Sequence, residues 1–185
     1  MGEPQLKLTN LEEFLDWEER QETRHEFVDG NVFLMAGGTD AHDVVRGNAF
    51  AALHSKLARG PCSARLDLKL VCPNGRSRYP DVAVVCGPRD PKSTRLIDPL
   101  VLVEVLSPST RSTDYLVKPI DYSSVPSVTT YLIVDPDEPR VDILRRVGDH
   151  FVPEEPQAEG LDAVIALPEI GIELSLAEIY SDGTS

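Results

Sequence analysis

The amino-acid sequence predicts an α+β protein built on a mixed β-sheet. Three features support this class: the order of the elements, an Asp-Gly pair between two β-type runs, and a short aliphatic run, Leu100 to Val105, that suits a buried strand. The predicted order is helix, hairpin, helix, strands, helix, strands, which is typical of α+β folds. Because no repeat or linker interrupts it, we expect a single domain over residues 1–185, with flexible ends at 1–9 and 181–185.

The composition is that of an ordinary globular protein. The chain has 41% apolar and 26% charged residues, and its 185 residues can bury one sizeable core. No apolar segment approaches membrane-spanning length and no signal-peptide pattern is present, so we expect a cytoplasmic protein without a membrane partner. Cys62, Cys72 and Cys86 show no CxxC spacing, which predicts buried free thiols rather than a zinc site or a disulfide.

The charge balance argues against a nucleic-acid partner. The 31 acidic residues outnumber the 18 basic ones, which gives a net charge of −13, whereas binding to phosphates requires Lys and Arg. A local basic groove can nevertheless coexist with an acidic exterior. Basic residues do cluster along the sequence, and solvated strand and loop faces are the default interpretation of each group: Arg59/Arg65/Lys69/Arg76/Arg78, Arg89/Lys92/Arg95 and Arg140/Arg145/Arg146.

The N-terminal segment predicts a helix followed by a hairpin. Thr9-x-x-Glu12 is a capping-box pattern that opens a helix to about residue 22. Two β-type runs, His25–Val28 and Asn31–Met35, then flank Asp29-Gly30. An Asp-Gly pair in this position is a strong signal for a tight β-hairpin.

A second helix and an alternating strand follow. Thr39 or Asp40 is expected to cap a helix to about Ala58, with an apolar stripe on one face: Val44, Val45, Ala49, Ala52, Leu53 and Leu57. Cys62–Cys72 alternates regularly and predicts one strand, with Arg65, Asp67 and Lys69 on a wet face. His42 is interpreted as a cap or surface residue.

Two acids mark the centre of the chain. Glu104 interrupts the apolar run before Ser107-Pro108, and a buried carboxylate costs several kcal/mol unless a partner compensates it. Asp81 opens a second apolar run, Val82–Val85. If the two strands are neighbours, about 4.8 Å apart, both carboxylates can converge on one hard cation such as Mg²⁺.

The segment after the Glu104 strand offers a lysine. Asp114, Lys118 and Tyr122 are four residues apart and share a face if the segment is helical. A lysine there can stabilise developing charge or position an attacking water. Pro119 requires the helix to begin late or to kink. Taken singly, Lys118 and Glu26 also fit solvated surface positions.

The C-terminal third predicts further hairpins. Tyr131–Asp135 and Val141–Leu144 flank a Pro-rich turn, Pro136–Pro139. A weaker hairpin and a short helix follow, with Ser175 as the N-cap and Tyr180 at the end.

Taken in order, these segments resemble the Uma-type family of predicted endonucleases, within the PD-(D/E)XK, restriction-endonuclease-like superfamily. The resemblance covers roughly Leu11 to Ile179, and although no single segment is specific, the ordered set is. The matching segments are RHEFVDGNVFLMAGGTDAH (Arg24–His42), DLKL (Asp67–Leu70), YPDVAVVC (Tyr79–Cys86), LVEVLSPST (Leu102–Thr110), the residues Asp114, Lys118 and Tyr122, and VPSVTTYLIVDPDEPRVDILRR (Val125–Arg146).

The resemblance implies a restriction-endonuclease-like fold, with an αβββαβ core and a central mixed sheet flanked by helices. It also implies metal-dependent phosphodiester cleavage. By position, Asp81 matches the PD aspartate and Glu104 the (D/E)XK acid, both metal ligands, and Glu26 matches the family's additional acid. Leu106 stands where the superfamily pattern has lysine; in the Uma-type family the lysine comes from the following helix, here Lys118.

The first functional hypothesis is therefore a Mg²⁺-dependent (or Mn²⁺-dependent) nuclease acting on DNA. Asp81, Glu104 and the backbone carbonyl of Val105 are expected to hold the metal. Lys118 assists the nucleophilic water, and Glu26 holds a second metal or a water. A homodimer fits, since the superfamily often cuts two strands with two subunits. The alternatives are a catalytically degenerate nuclease fold that serves as a binding or interaction module, and hydrolysis of a different phosphoester.

Overall fold

The computed structural model describes residues 4–35 and 37–181. Residues 1–3 and 182–185, which belong to the predicted flexible ends, lie outside the described residues. In chain order the elements are β1 (Leu6–Lys7), α1 (Leu11–Glu18), β2 (His25–Val28), β3 (Asn31–Leu34), α2 (Asp40–Leu57), β4 (Cys62–Leu66), β5 (Leu70–Val71), β6 (Ser77–Arg78), β7 (Val82–Cys86), β8 (Pro99–Val105), α3 (Arg111–Leu116), α4 (Lys118–Ser123), β9 (Thr130–Val134), β10 (Arg140–Val147), β11 (His150–Pro153), β12 (Ala158–Glu159), β13 (Val164–Leu167), β14 (Ile172–Ser175) and α5 (Leu176–Ile179).

A seven-stranded mixed sheet forms the centre of the fold. Its strand order is β11-β10-β9-β8-β7-β4, with β12 paired to β10. All neighbours are antiparallel except β8 and β9, whose parallel pairing needs a crossover. The segment containing α3 and α4 supplies that crossover. A five-stranded antiparallel sheet, β1-β3-β2-β6-β5, and the β13-β14 hairpin complete the architecture. The predicted α+β class with a mixed sheet is confirmed.

The central sheet is covered on both faces. On one face α2 packs through Ala49 and Leu53 against alternate strand residues such as Val103. The other face carries a second cluster that includes Leu102 from β8 and Tyr122 from α4. Because β8 is buried on both sides, its sequence is a continuous aliphatic run broken only by Glu104.

The first helix differs from its predicted bounds. Asn10 is the N-cap rather than Thr9, and its side chain accepts a hydrogen bond from the Glu13 N–H at 2.9 Å. Asn caps a helix as well as Thr does, so sequence alone did not decide between adjacent candidates. The helix ends at Glu18 instead of residue 22, where the Glu18 carboxylate turns inward and accepts a hydrogen bond from the His25 N–H at 3.0 Å.

The predicted strand from Cys62 to Cys72 was wrong in its second half. β4 ends at Leu66, and Asp67 adopts a left-handed conformation with φ 55°, which Asp tolerates better than most residues. The chain then crosses to the other sheet, where β5 pairs with β6. Lys69 is therefore buried at 5% exposure and does not share a wet face with Arg65.

The prediction of three free thiols was also wrong. Cys62 and Cys86 lie directly opposite each other on β4 and β7, with their Cα atoms 3.8 Å apart, and form a disulfide. Sequence spacing could not reveal this pair because it depends on strand register. Cys72 is free and buried, as predicted.

Several local predictions are confirmed. The Asp29-Gly30 pair joins β2 to β3 with positive φ at both residues. Thr39 caps α2, whose buried residues include most of the predicted stripe, although Val44 is exposed. Ser175 caps α5 in a complete capping box. Within residues 4–35 and 37–181, no helix has the length and apolar character needed to cross a membrane.

Candidate active site

Asp81 and Glu104 lie side by side at one end of the central sheet. Val82 on β7 pairs with Val103 on β8 in an antiparallel register, so the residues just beyond them face each other. Directly opposite residues of an antiparallel pair project to the same side of the sheet. The Asp81 carboxylate also accepts a hydrogen bond from the Val105 N–H at 2.8 Å. The structure thus brings the two predicted acids together.

Glu104 is a buried carboxylate in contact with a cation. Its Oε1 lies 2.8 Å from the Lys118 Nζ and accepts a hydrogen bond from the Tyr122 hydroxyl. Burial raises the pKa of Glu104 well above its ordinary value, although the charge of Lys118 opposes that rise. The negative charges of Asp81 and Asp114 raise the Glu104 pKa further.

Lys118 reaches the site from the first turn of α4. The helical segment breaks at Val117, so Pro119 occupies an N-terminal position, where a missing N–H leaves no helix hydrogen bond unmade. The break does not misplace the lysine, whose Nζ lies 2.8 Å from both Glu104 and Asp114. Burial alone would lower the pKa of Lys118, but the charges of these acids raise it above its ordinary value.

Glu26 lines the cavity and is held in place by a buried arginine. Its Oε2 accepts a hydrogen bond from the Arg78 Nη1 at 2.7 Å, and its Oε1 accepts one from the Tyr79 N–H at 3.3 Å. Arg78 is fully buried on β6 and also donates from Nε to the Asp121 carboxylate at 2.7 Å. Both carboxylate oxygens of Glu26 are therefore engaged, and its role at a second metal stays a prediction.

His42 is a site residue that the sequence interpretation missed. It is buried in the first turn of α2, and its Nε2 lies 3.5 Å from the Asp81 Oδ2. The hydrogen bond to Asp81 raises the pKa of His42. Burial would raise the pKa of Asp81, but His42, Lys118 and the Val105 N–H together lower it. The signal was present in the sequence, since His42 precedes Val45 by one helical turn on the buried stripe.

These side chains share one cavity of about 100 Å³. Glu26, His42, Asp81, Glu104 and Lys118 all line it. The rest of the lining comes from the end of β3 and its loop, the residue before Pro80, and the end of β8 with its loop: Phe33, Leu34, Met35, Gly37, Gly38, Tyr79, Val105, Ser107, Ser109 and Thr110. All four predicted catalytic side chains therefore line the same cavity.

The donor set at Asp81 and Glu104 fits a hard divalent cation. Mg²⁺ is commonly held by one or two carboxylates, with waters completing its shell. A cation would also offset the carboxylate repulsion that raises the Glu104 pKa. Across the described chain, no group of three or more His, Cys, Asp or Glu side chains is arranged to hold a metal. Main-chain oxygens and waters would complete the shell, and the Val105 carbonyl stays a predicted ligand.

A buried ionic network behind the site was also missed. The Asp121 carboxylate accepts hydrogen bonds from Arg78, from Arg76 at 2.8 Å and from Asn74 at 2.9 Å. Both arginines belong to a basic cluster for which the sequence pattern favours solvated strand and loop faces. Arg78 and Asp121 are 43 residues apart, so no local pattern predicts their contact.

Comparisons with known proteins agree with this architecture. The sequence profile of the Uma2 family, described as "Putative restriction endonuclease", matches residues 11–177. The uncharacterised protein slr1290 of Synechocystis sp. is 35% identical over 174 residues, covering 91% of this chain and 90% of that protein. A second uncharacterised Synechocystis protein, sll1609, is 28% identical over 150 residues, covering 77% and 84% respectively.

One solved structure shows the same fold. A crystal structure described as "a putative nuclease belonging to DUF820", from Anabaena variabilis, matches with a TM-score of 0.74 at 21% identity, over 94% of this chain and 98% of that one. The fold is therefore restriction-endonuclease-like, as the sequence resemblance implied. Since the family profile spans nearly the whole chain, this protein belongs to the Uma2 family.

Proposed function

We propose that this protein is a metal-dependent nuclease that hydrolyses phosphodiester bonds in DNA. One observation carries the proposal: Asp81 and Glu104 converge from neighbouring strands in one cavity, with the Lys118 Nζ 2.8 Å from the Glu104 carboxylate. The family description supports the same activity.

Asp81, Glu104 and the Val105 carbonyl would hold Mg²⁺ or Mn²⁺. When bound, such a cation lowers the pKa of a coordinated water and neutralises charge on the phosphate. The lowered pKa of Asp81 keeps that carboxylate ionised. Glu104 must also be ionised to act as a ligand, and the adjacent ammonium of Lys118 favours that state.

Lys118 acts as an electrostatic stabiliser rather than a base, because its raised pKa keeps it protonated. Two of its contacts are to Glu104 and Asp114, and an ammonium has three N–H donors. The third can position the attacking water or stabilise charge on a phosphate oxygen. Glu26 would hold a second cation or an ordered water at the cavity wall.

We further propose that the enzyme works as a cytoplasmic homodimer, in which two subunits with one site each would cut the two strands of a duplex. The net charge of −13 means that attraction for DNA must come from local basic surface.

The test is a cleavage assay on plasmid and oligonucleotide DNA with Mg²⁺ or Mn²⁺. Glu104→Gln and Asp81→Asn should each lower the cleavage rate by at least about 100-fold. Asp142→Asn is the matched control, because Asp142 is as buried as Glu104 but contacts Tyr115 and Arg140 outside the cavity. Cleavage that survives in both site variants, with the fold intact, would refute the proposed site.

The second candidate is a degenerate nuclease fold that binds without turnover. It is favoured by the absence, within residues 4–35 and 37–181, of a three-residue metal cluster, and by the engagement of Glu104 with Lys118 and Tyr122. Titration calorimetry with Mn²⁺ separates the two candidates. Binding that disappears in Glu104→Gln supports the enzyme, whereas no binding in the wild-type protein supports the degenerate module.

A further inference from the structure

A groove lined by arginines lies beside the proposed active site. It has a volume of about 570 Å³ and is lined by the second half of β4, the C-terminal end of β7 and the loop that leads into β8. Its three basic lining residues are Arg65, Arg89 and Arg95, and we call it the arginine groove. Its apolar lining includes Leu66, Leu68, Val85 and Leu96.

The groove opens on the same sheet face as the catalytic acids. Arg65 pairs with Ala83, and Ala83 pairs with Leu102, so these three residues share a face. Asp81 lies two residues before Ala83, and Glu104 lies two residues after Leu102, so alternation places both acids on that face as well. Arg65 and Asp81 are therefore one strand and two residues apart, which separates their Cα atoms by about 8 Å.

Two of the groove's arginines, Arg65 and Arg89, carry positive charge that no ion pair within the described residues compensates. Among the described residues, no carboxylate forms an ion pair with Arg65 or Arg89, and the hydrogen bond of Arg65 goes to the Ala64 carbonyl at 2.9 Å. Burial and the nearby charge of Arg89 lower the pKa of Arg65. Arg95 has a long ion pair with Glu19, at 3.7 Å.

Other arginines near the cavity are neutralised. Arg24 and Arg46 both pair with Asp67, and Arg111 pairs with Asp135. Two acids do line the arginine groove, Asp90 and Asp98, but the Asp90 carboxylate accepts a hydrogen bond from the Lys92 N–H, and neither acid forms an ion pair with the groove arginines. Among the described residues, the groove therefore brings together two guanidinium groups, those of Arg65 and Arg89, that form no ion pair.

We propose that the arginine groove binds the phosphate backbone of the nucleic-acid strand whose scissile bond lies at Glu104. The identity of the ligand rests on the proposed nuclease function. Guanidinium groups suit phosphate because their planar donors can bind two oxygens at once. The Cα separation of about 8 Å between Arg65 and Asp81 is short enough for one strand to contact both the groove and the catalytic acids. The groove would supply attraction that the acidic cavity lacks.

The test measures binding without catalysis. A fluorescent single-stranded oligonucleotide is titrated with protein in EDTA, at several salt concentrations, and anisotropy reports the affinity. Arg65→Gln/Arg89→Gln should weaken binding by about tenfold and make the slope of log K against log salt shallower by about 1.4, since each neutralised phosphate contributes about 0.7 for a single strand. Thermal unfolding checks that the variant is folded.

A matched double variant controls for net charge. Lys7→Gln/Lys56→Gln removes the same two charges from β1 and from an ion pair with Glu178, both outside the groove. It should leave affinity and slope unchanged. Equal losses in both double variants, unchanged binding in the groove variant, or a wild-type protein that binds inorganic phosphate but no oligonucleotide would each overturn the inference.

These outcomes are separable from those of the cleavage assay. Binding lost only in the groove variant supports the groove even if the wild-type protein cleaves nothing. Conversely, cleavage that depends on Glu104 together with binding that ignores Arg65 and Arg89 leaves the nuclease intact and removes the groove.

Discussion

At the scale of single residues, the position most sensitive to substitution is Lys118, whose buried ammonium lies between the carboxylates of Glu104 and Asp114. Glu104, Asp114 and Lys118 are 3%, 1% and 5% exposed, so solvent screens their charges little. Removing one member of a buried ion pair leaves an uncompensated charge, which is far more destabilising than the pair is stabilising. The same lysine is therefore both a structural and a proposed catalytic group.

We expect Lys118→Met to lower the free energy of unfolding by about 3–5 kcal/mol near neutral pH, because the buried carboxylates of Glu104 and Asp114 lose their cation. Methionine keeps the apolar stem, so the variant isolates the loss of charge. The loss should be smaller at about pH 5. Burial raises the pKa of Glu104, so the folded state holds that proton more tightly, and stability falls as pH rises above the unfolded-state value. Without the charge of Lys118 the pKa of Glu104 rises further, so stability falls more steeply with pH. Urea titrations at about pH 5 and about pH 8 measure both effects.

The double variant Glu104→Gln/Lys118→Met is the control for this pH dependence. It removes the titrating carboxyl together with its cation, so its stability should change less between the two pH values than that of Lys118→Met. If the single variant loses the same free energy at both pH values, Glu104 is not the group that couples stability to pH.

At the scale of elements, the hairpin of β2 and β3 is fixed by its turn. Gly30 has φ +83°, and a Cβ there would lie 3.2 Å from the Leu8 carbonyl oxygen. The turn sets the register of β2, which carries Glu26 into the cavity wall. Local turn chemistry therefore helps to position a proposed active-site residue.

We expect Gly30→Ala to destabilise the protein by about 1–2 kcal/mol, because an L-residue in the left-handed region is strained. Gly47→Ala is the matched control. Gly47 lies in the middle of α2 on its solvent-exposed face, and a Cβ there would meet no atom within 4 Å. Helix propensity should make that variant more stable by about 0.5–1 kcal/mol. Changes of equal sign in urea titrations of the two variants would contradict this account.

Element prediction succeeded where the signal was local and failed where it was not. The Asp29-Gly30 hairpin and the Ser175 cap each depend on a few adjacent residues, and the structure has both. The break at Asp67 and the Cys62–Cys86 bond depend on which strand pairs with which. A clean alternation of apolar residues continues through Asp67, so periodicity alone could not show that the chain changes sheets there.

At the scale of the whole molecule, the candidate site lies where the two large sheets meet. Asp81 and Glu104 lie at one end of neighbouring interior strands of the central sheet, whereas Glu26 belongs to the five-stranded sheet. Arg78 contacts both Glu26 and Asp121 of α4, so it ties the second sheet to the crossover helices. The site thus forms only when both sheets and the crossover are assembled.

This arrangement explains how much of the site the sequence could predict. Asp81 and Glu104 were recognisable because each interrupts or opens an apolar run, and Lys118 because of its spacing and the family resemblance. Arg78 gave no such signal, since a charged residue in a short strand is usually solvated and its partners are distant in sequence. The roles of the predicted residues in catalysis stay predictions.

The last prediction concerns the linkage between metal and folding. An ion held by Asp81 and Glu104 binds only the folded state, because these residues are 23 positions apart (104 − 81) and are brought together by strand pairing. At a concentration near 100 times the dissociation constant, Mn²⁺ should stabilise the EDTA-treated protein by about 2.7 kcal/mol. For a domain of this size that corresponds to a rise in melting temperature of about 5–11 °C.

Thermal scans monitored by circular dichroism at increasing Mn²⁺ would measure this shift. Asp81→Asn and Glu104→Gln should each lose it, whereas the control Asp142→Asn, at a residue as buried as Glu104, should keep it, since its side chain is outside the cavity. A full shift in Asp81→Asn would place the ion elsewhere on the protein. Because thermal stability needs no substrate, the experiment tests the metal site independently of any cleavage assay.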